Sequence, residues 1–190
     1  MEELLNCTFT LTAFDNISEV LKHHLNTLPS SIDSFLEDHI LKSTFYQITF
    51  ANQHAGFTAI HNDTLITAFV LLPAFKRYGQ DIFTQIKKLE QVQAAFVPTC
   101  DEFFLSHALD TYRQLIKQAY FFAAPLGCDF VPSAYTLRQA TYEDIPFIEQ
   151  ETDGFFDPVK QYIDDQTLFL TEENGICVGF GVLEKSRFGV

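Results

Sequence analysis

The run Leu65-Ile66-Thr67-Ala68-Phe69-Val70-Leu71-Leu72 constrains this chain more than any other stretch. It carries no charge and no alternation of polar and apolar residues, so it reads as a strand buried on both faces. Asn62-Asp63 precede it as a turn, and Pro73 ends its regular pairing.

The periodicity around that strand sets out the other elements. Residues 7–13 alternate and predict a first strand. Asp15 or Asn16 caps a helix with the apolar stripe Ile17, Val20, Leu21, Leu25 and Leu28. Asn16 and Glu19 have capping-box spacing, and Pro29 stops the helix. Ser30 or Ser31 opens a second helix carrying Ile32, Phe35, Leu36 and Leu41. Residues 45–50 and 56–60 form a hairpin, connected by Asn52-Gln53-His54-Ala55. Beyond the buried run, 79–89 reads as a helix, 92–97 as a second buried strand, 102–117 as a helix and 119–123 as a short strand. Residues 125–132 are a linker.

Then the pattern begins again. Residues 135–140 form a strand, and Thr141-Tyr142-Glu143-Asp144-Ile145 start a helix whose first turn suits Pro146. Residues 167–172 and 177–183 are strands joined by a turn at Glu173-Asn174-Gly175. Phe9-Thr10-Leu11 recurs as Tyr135-Thr136-Leu137, and Gly56-Phe57-Thr58-Ala59-Ile60 as Gly179-Phe180-Gly181-Val182-Leu183, at offsets of 126 and 123 residues. The second copy lacks any counterpart of 64–123. The expected organisation is a complete unit over 1–124, a linker over 125–134, and the front half of a second unit over 135–190. Either the natural chain continues past Val190, or it carries one complete unit and one partial one.

Charge narrows the partners. The chain has 25 acidic and 12 basic residues and a net charge of -13, which argues against a nucleic-acid backbone or an anionic membrane. With 47% hydrophobic residues and 21 Phe, it can bury a core. No apolar run approaches the roughly 18 residues of a membrane span. The start, Met1-Glu2-Glu3-Leu4-Leu5, has no basic region of the secretory kind. Cys7, Cys100, Cys128 and Cys177 are scattered and form no metal-binding pair, so reduced thiols in a cytoplasmic protein are expected. His23 and His24 are adjacent on a helix, so their side chains diverge and hold no metal together.

The basic residues are concentrated. Lys76, Arg77, Lys87 and Lys88 are four of the eight that precede residue 135, and they lie within thirteen positions. Lys76 and Arg77 lie within the junction Leu71-Leu72-Pro73-Ala74-Phe75-Lys76-Arg77-Tyr78-Gly79-Gln80-Asp81-Ile82, where a buried strand runs into a helix start, and Lys87 and Lys88 follow on the same helix. Free N–H groups and the helix dipole favour an anion there, and Gly79 permits close backbone approach. A solvated helix face with ordinary surface charges is the plainer reading of the same residues.

Together these residues resemble the GNAT family of N-acetyltransferases. The most recognisable segments are Thr136-Leu137-Arg138-Gln139-Ala140-Thr141-Tyr142-Glu143-Asp144-Ile145-Pro146 and Gly179-Phe180-Gly181-Val182-Leu183. The resemblance implies an α+β fold, a mixed and mostly antiparallel sheet flanked by helices. It implies acetyl-CoA as acyl donor, no metal, and an amine of a small molecule or peptide as acceptor. The family's phosphate-binding signature, R/Q-x-x-G-x-G/A, falls on Lys76, Arg77, Tyr78, Gly79, Gln80 and Asp81, with Leu71 and Leu72 ending the strand before it. Asp81 stands where Gly or Ala is usual. Two like charges about 4 Å apart repel by roughly 4 kcal/mol at an effective dielectric near 20.

The resemblance also implies Tyr112 as the acid that protonates the departing thiolate, although Leu105 stands where an Asn is usual. The family's strand carboxylate has no counterpart in 64–72, which leaves His61 and Asp63 as substitutes for the base. These departures support a rival reading, a degenerate non-catalytic module for dimerisation or ligand binding. A sensor that binds an acyl-CoA without turnover is a third. Asp164-Asp165 and Glu172-Glu173 read as solvated surface, or as an attraction for a cationic amine. Phe103-Phe104 and Phe121-Phe122 read as core or interface, and a homodimer is the oligomer to expect.

Overall fold

The computed structural model describes residues 7–89, 91–119 and 134–189. The chain divides into two compact units. One runs to Lys117 and takes in Ser186–Val190; the other is Gln118–Lys185.

The first unit is built on a five-stranded sheet in the order β1 (Cys7–Thr12), β2 (Thr44–Phe50), β3 (Gln53–His61), β4 (Leu65–Leu71), β5 (Ala94–Ala95). The first four pair antiparallel, and β5 joins β4 in parallel. The helices are α1 (Ser18–Thr27), α2 (Ser34–Leu41), α3 (Gly79–Ile86) and α4 (Glu102–Leu109). This is the mixed, mostly antiparallel sheet flanked by helices that the family resemblance implies. The apolar run of β4 explains the layers. Ala68 and Val70 enter a core with Leu21, Leu36 and Ile40 of α1 and α2. Ile66, Phe69 and Leu71 enter the opposite core with Ile82, Phe83 and Phe104 of α3 and α4.

Two tight turns hold the meander in register. Ala51-Asn52 and Asn62-Asp63 both have φ between 48° and 61° at each residue, the backbone of a two-residue hairpin turn. The first turn is thus shorter than the predicted 52–55 connection, and β3 begins at Gln53.

Several elements differ from expectation. No side chain caps α1: the Asn16–Glu19 box does not form, and Asn16 instead donates to Thr12 Oγ1 at 3.2 Å. Asp33, rather than Ser30 or Ser31, caps α2 through Leu36 N–H at 2.8 Å. The 92–97 stretch keeps only two exposed residues of strand, because its ladder with β4 stops there. α4 ends at Leu109, eight residues short, and 110–119 run on exposed. The expected strand 119–123 and linker 125–132 fall, except for Ala119, outside the described residues, as does Cys128.

Residues 186–189, expected in the second unit, belong to the first because they are tied into it. Phe188 is 4% exposed within the α1–α2 core. The buried Glu37 carboxylate accepts from Ser186 Oγ at 2.6 Å and Arg187 N–H at 2.7 Å.

The second unit has a three-stranded antiparallel sheet, β6 (Tyr135–Gln139), β7 (Leu168–Glu173) and β8 (Ile176–Val182), with α5 (Ile145–Thr152) and α6 (Val159–Asp164) between β6 and β7. α6 has no counterpart in the sequence reading. Pro146 sits in the first turn of α5, as expected. Ahead of it, Thr141 and Asp144 make a capping box. Arg138 bonds Asp144 through both terminal nitrogens, at 2.7 and 2.8 Å, and Glu172 through Nε at 2.6 Å. That fork ties β6 to the start of the helix and to β7. No helix of the described residues is long and apolar enough to cross a membrane.

Candidate functional site

The parallel pairing of β4 with β5 is short. It covers Leu65 with Ala94 and Ile66 with Ala95, and its last bond is Phe96 N–H to Ile66 O at 2.8 Å. Pro98, which has no N–H, comes just where the two segments part. At the same level the β3–β4 register shifts, Ile60 facing Ile66 and Ala59 facing Ala68, so Thr67 is bulged out of the ladder. Bulges re-aim backbone and side chains and occur beside functional sites. From Thr67 onward β4 has no second strand neighbour among the described residues. Thr67 Oγ1 is held by Ser43 Oγ at 2.8 Å.

Asp101 closes this opening from the far side. It is 5% exposed and caps α4, Oδ1 accepting from Phe104 N–H at 3.0 Å. Its other oxygen accepts from His24 Nε2 of α1 at 2.8 Å. The two side chains are 13% and 7% exposed. His24, Thr67, Ala68, Pro98 and Asp101 line one cavity of about 20 Å³, whose other walls are apolar. That volume holds a single water.

The basic junction lies at the other end of β4. Leu71 ends the strand, and Leu72 N–H bonds Ala55 O at 2.8 Å. Pro73–Tyr78 form a 3-10 turn that leads directly into α3. Lys76 and Arg77 are exposed and make no ion pair among the described residues; Lys76 lies over Phe103 at 5.3 Å and Arg77 over Tyr78 at 4.6 Å. Gly79 N–H donates to Lys76 O, and Asp81 lies in the first turn of α3.

Gly79 does allow a close approach, but the approach is made by α4. A Cβ there would lie 2.3 Å from His107 Nε2 and 2.8 Å from Phe103 Cζ. His107 Nδ1 meets Gln80 Oε1 at 3.1 Å, while its Nε2 is buried with no hydrogen-bond partner. Burial lowers the His107 pKa below the ordinary imidazole value, and Asp110 opposes the shift.

The predicted site residues therefore fall into three places. Leu71, Leu72, Lys76, Arg77, Tyr78, Gly79, Gln80 and Asp81 are together at the end of β4. His61 and Asp63 are at its beginning, about 20 Å of strand away at roughly 3.3 Å per residue. His61 lies against His39 at 4.7 Å between ring centroids with the rings tilted, and Asp63 is exposed in the turn at φ 60°. Tyr112 is not on a helix; it is 57% exposed just past α4, next to Thr111, which accepts a hydrogen bond from Lys87. The His24–Asp101 pair had no signal in the sequence, since its members are 77 residues apart.

Whether these residues suit acetyl-CoA turns on two observations. Two exposed cations without an acidic partner beside a strand end suit a phosphate-bearing ligand, with Lys76 and Arg77 as the residues to hold it. The Gly79 notch takes no part, being filled by α4. Among the described residues no group of three or more His, Cys, Asp or Glu is placed to hold a metal ion.

Residues 13–124 match the family model of the acetyltransferase (GNAT) domain. A solved structure described as an acetyltransferase from the GNAT family of Colwellia psychrerythraea superposes with a TM-score of 0.63. It is 14% identical, over 94% of this chain and 71% of that one, and the likeness is one of fold. No curated protein matches.

Proposed function

The chain belongs to the GNAT acetyltransferase family, and from that we propose that it moves an acetyl group from acetyl-CoA to an amine of a small molecule or peptide. The observation that carries this reading is the break in the sheet: the β4 bulge at Thr67 coincides with the end of β4–β5 pairing and opens a backbone edge.

Acetyl-CoA supplies an electrophilic thioester carbonyl and a thiolate leaving group. Lys76 and Arg77 hold its phosphates by charge. Amides of β4 beyond Thr67 polarise the carbonyl. Tyr112 returns a proton to the thiolate. Binding alone is testable by thermal unfolding with and without acetyl-CoA. Ligand at about 100 times its dissociation constant adds roughly 2.7 kcal/mol, a shift of roughly 5 to 10 °C at this size. No shift removes the reading.

A second reading is favoured by the filled notch at Gly79 and by Asp81. In it the first unit is a non-catalytic module for dimerisation or ligand binding. Asp81→Gly separates the two. Acetyl-CoA binding that is restored or improved in the variant marks a decayed site, and no change sinks the phosphate-loop assignment.

A further inference from the structure

His24 and Asp101 form a buried dyad that neither the family match nor the sequence pattern points to. Three features set it apart from an ordinary surface pair. First, it stands at the bulge: His24 and Asp101 share the cavity with Thr67 and Ala68, where β4 loses its strand neighbour. Second, the carboxylate is fixed twice, by Phe104 N–H on Oδ1 and by His24 on Oδ2, so it holds the imidazole in one orientation. Third, among the described residues Asp101 is the only other titratable group lining that cavity; besides His24, α1, α2 and β4 contribute Thr67 and apolar side chains.

A base oriented by a buried carboxylate is the arrangement that nucleophilic and acyl-transfer sites use. The carboxylate stabilises the imidazolium as it forms, and apolar walls strengthen that interaction. With Nε2 bound to Asp101, Nδ1 has no hydrogen-bond partner among the described residues, and in a neutral ring that donates from Nε2 the lone pair is on Nδ1.

We propose that His24, aligned by Asp101, accepts the proton released when the amine attacks the acetyl thioester; this rests on the acetyl-transfer reading above. The amine nitrogen forms a bond to the carbonyl carbon, and the carbon–sulfur bond breaks. The thiolate leaves and is protonated. The amine proton passes to His24 through one water in the cavity and then to solvent. His61 and Asp63, at the start of β4, have no such oriented partner among the described residues.

The plainer role for the dyad is a brace between α1 and the start of α4. His24→Gln distinguishes the two, because glutamine still donates to Asp101 but takes up no proton. Thiol release would be followed over a panel of amines against pH, together with the acetyl-CoA thermal shift of each variant. The proposal expects kcat of His24→Gln to fall about 10²- to 10⁴-fold. It also expects an unchanged thermal shift, and loss of the acid limb that the wild type shows in kcat/KM. A wild-type rate in His24→Gln overturns it. Absence of both thiol release and thermal shift in the wild type overturns the acetyl-transfer reading instead, and this proposal with it. If His24→Gln does not fold, ¹⁵N NMR of the wild-type His24 ring decides. A bare Nδ1 with Nε2–H supports the proposal, and an Nδ1 that stays protonated at the pH of turnover overturns it.

Discussion

The two units of this chain open the same way and are finished differently. Each begins strand, two helices, hairpin. In the first hairpin Ala51-Asn52 turn, Thr49 faces His54, Ala55 bulges, and Ile48 faces Gly56. In the second Asn174-Gly175 turn, Glu172 faces Cys177, Val178 bulges, and Thr171 faces Gly179. Every one of these positions is offset by 123 residues, which supports the proposed repeat. The strand before the hairpin is offset differently. Phe9 pairs with Ile48 and Leu137 with Thr171, so the structural partner of Leu137 is Phe9. The sequence match of Phe9 with Tyr135 is two residues out of register, which preserves the face and so escapes notice.

Beyond the hairpin the units part. In the first, β4 pairs with β3, and α3 and α4 cover the face that carries Ile48 and Phe50, 0% and 2% exposed. In the second, α5 and α6 cover only the opposite face, around Ile148, Leu168 and Leu170. The face corresponding to Ile48 and Phe50 holds Thr171 and Glu173, with Leu137 and Ile176 exposed at 60% and 69%. A hairpin of this geometry therefore forms both where helices of its own unit cover the outer face and where, among the described residues of its unit, none does, and residue type on that face differs accordingly.

The contrast is put under most strain at the two bulge glycines. A Cβ on Gly56, whose φ is 148°, would lie 2.1 Å from the Val70 carbonyl of β4; at Gly179 the nearest atom is 4.0 Å away. Gly56→Ala is expected to cost on the order of 3 kcal/mol or more in chemical unfolding, through strain and displaced backbone. Gly179→Ala is expected to stay within about 0.5 kcal/mol. Equal losses would mean that β8 has a close neighbour of its own.

Exchanging outer-face residues tests the layers themselves. Ile48→Thr buries an unmatched hydroxyl and should cost about 2 kcal/mol. Thr171→Ile, on the open face, should move stability by less than about 0.5 kcal/mol.

A polar fork takes over part of the work in the second unit. Arg138→Met removes charge-assisted bonds to Asp144 and Glu172 and should cost about 2 kcal/mol. The Arg138 hydrogen bonds hold the Asp144 carboxyl well below the usual carboxylate range, with backbone and side-chain bonds from Thr141 assisting. The unfolded chain binds that proton more readily, so this contribution is present above about pH 4 and fades as pH falls below it. Circular dichroism from pH 6 to pH 2 should show an acid loss in the wild type that is much reduced in Arg138→Met.

A slighter effect is expected at Cys7, on the covered face of the first unit, where burial pushes the thiol up to about 11. At pH 8 its alkylation, measured by mass spectrometry, should run on the order of a hundredfold slower than that of a free thiol. Rapid labelling would mean that β1 frays from the sheet.

Local chemistry made much of this legible. The Leu65–Leu71 strand, the turns at Asn62-Asp63 and Asn174-Gly175, and Pro146 at a helix start are each dictated by side-chain sterics within a few residues. The basic junction was equally visible, because charge and spacing are properties of the chain. The rest was not. The 92–97 run has the composition of a buried strand, yet it keeps two strand residues because β4 offers it only two registers. Gly79 reads as a phosphate approach, yet it is packed by His107 and Phe103, contributed from an element more than twenty residues later. His24 reads as one of two uninformative neighbours until folding carries Asp101 to within 2.8 Å of it.

Two of the hairpin turns, which strand is buried on both faces, where the cations cluster and which family the chain joins were all written in the amino-acid order. Those properties come from backbone sterics, periodicity and composition, each readable within a short window. Long-range packing settled the remainder: which face of the second sheet α5 and α6 cover, what fills the space above Gly79, and that a histidine and a carboxylate meet beside the bulge of β4. Each of these depends on a partner distant in sequence, and no local rule specifies which residue folding will bring there.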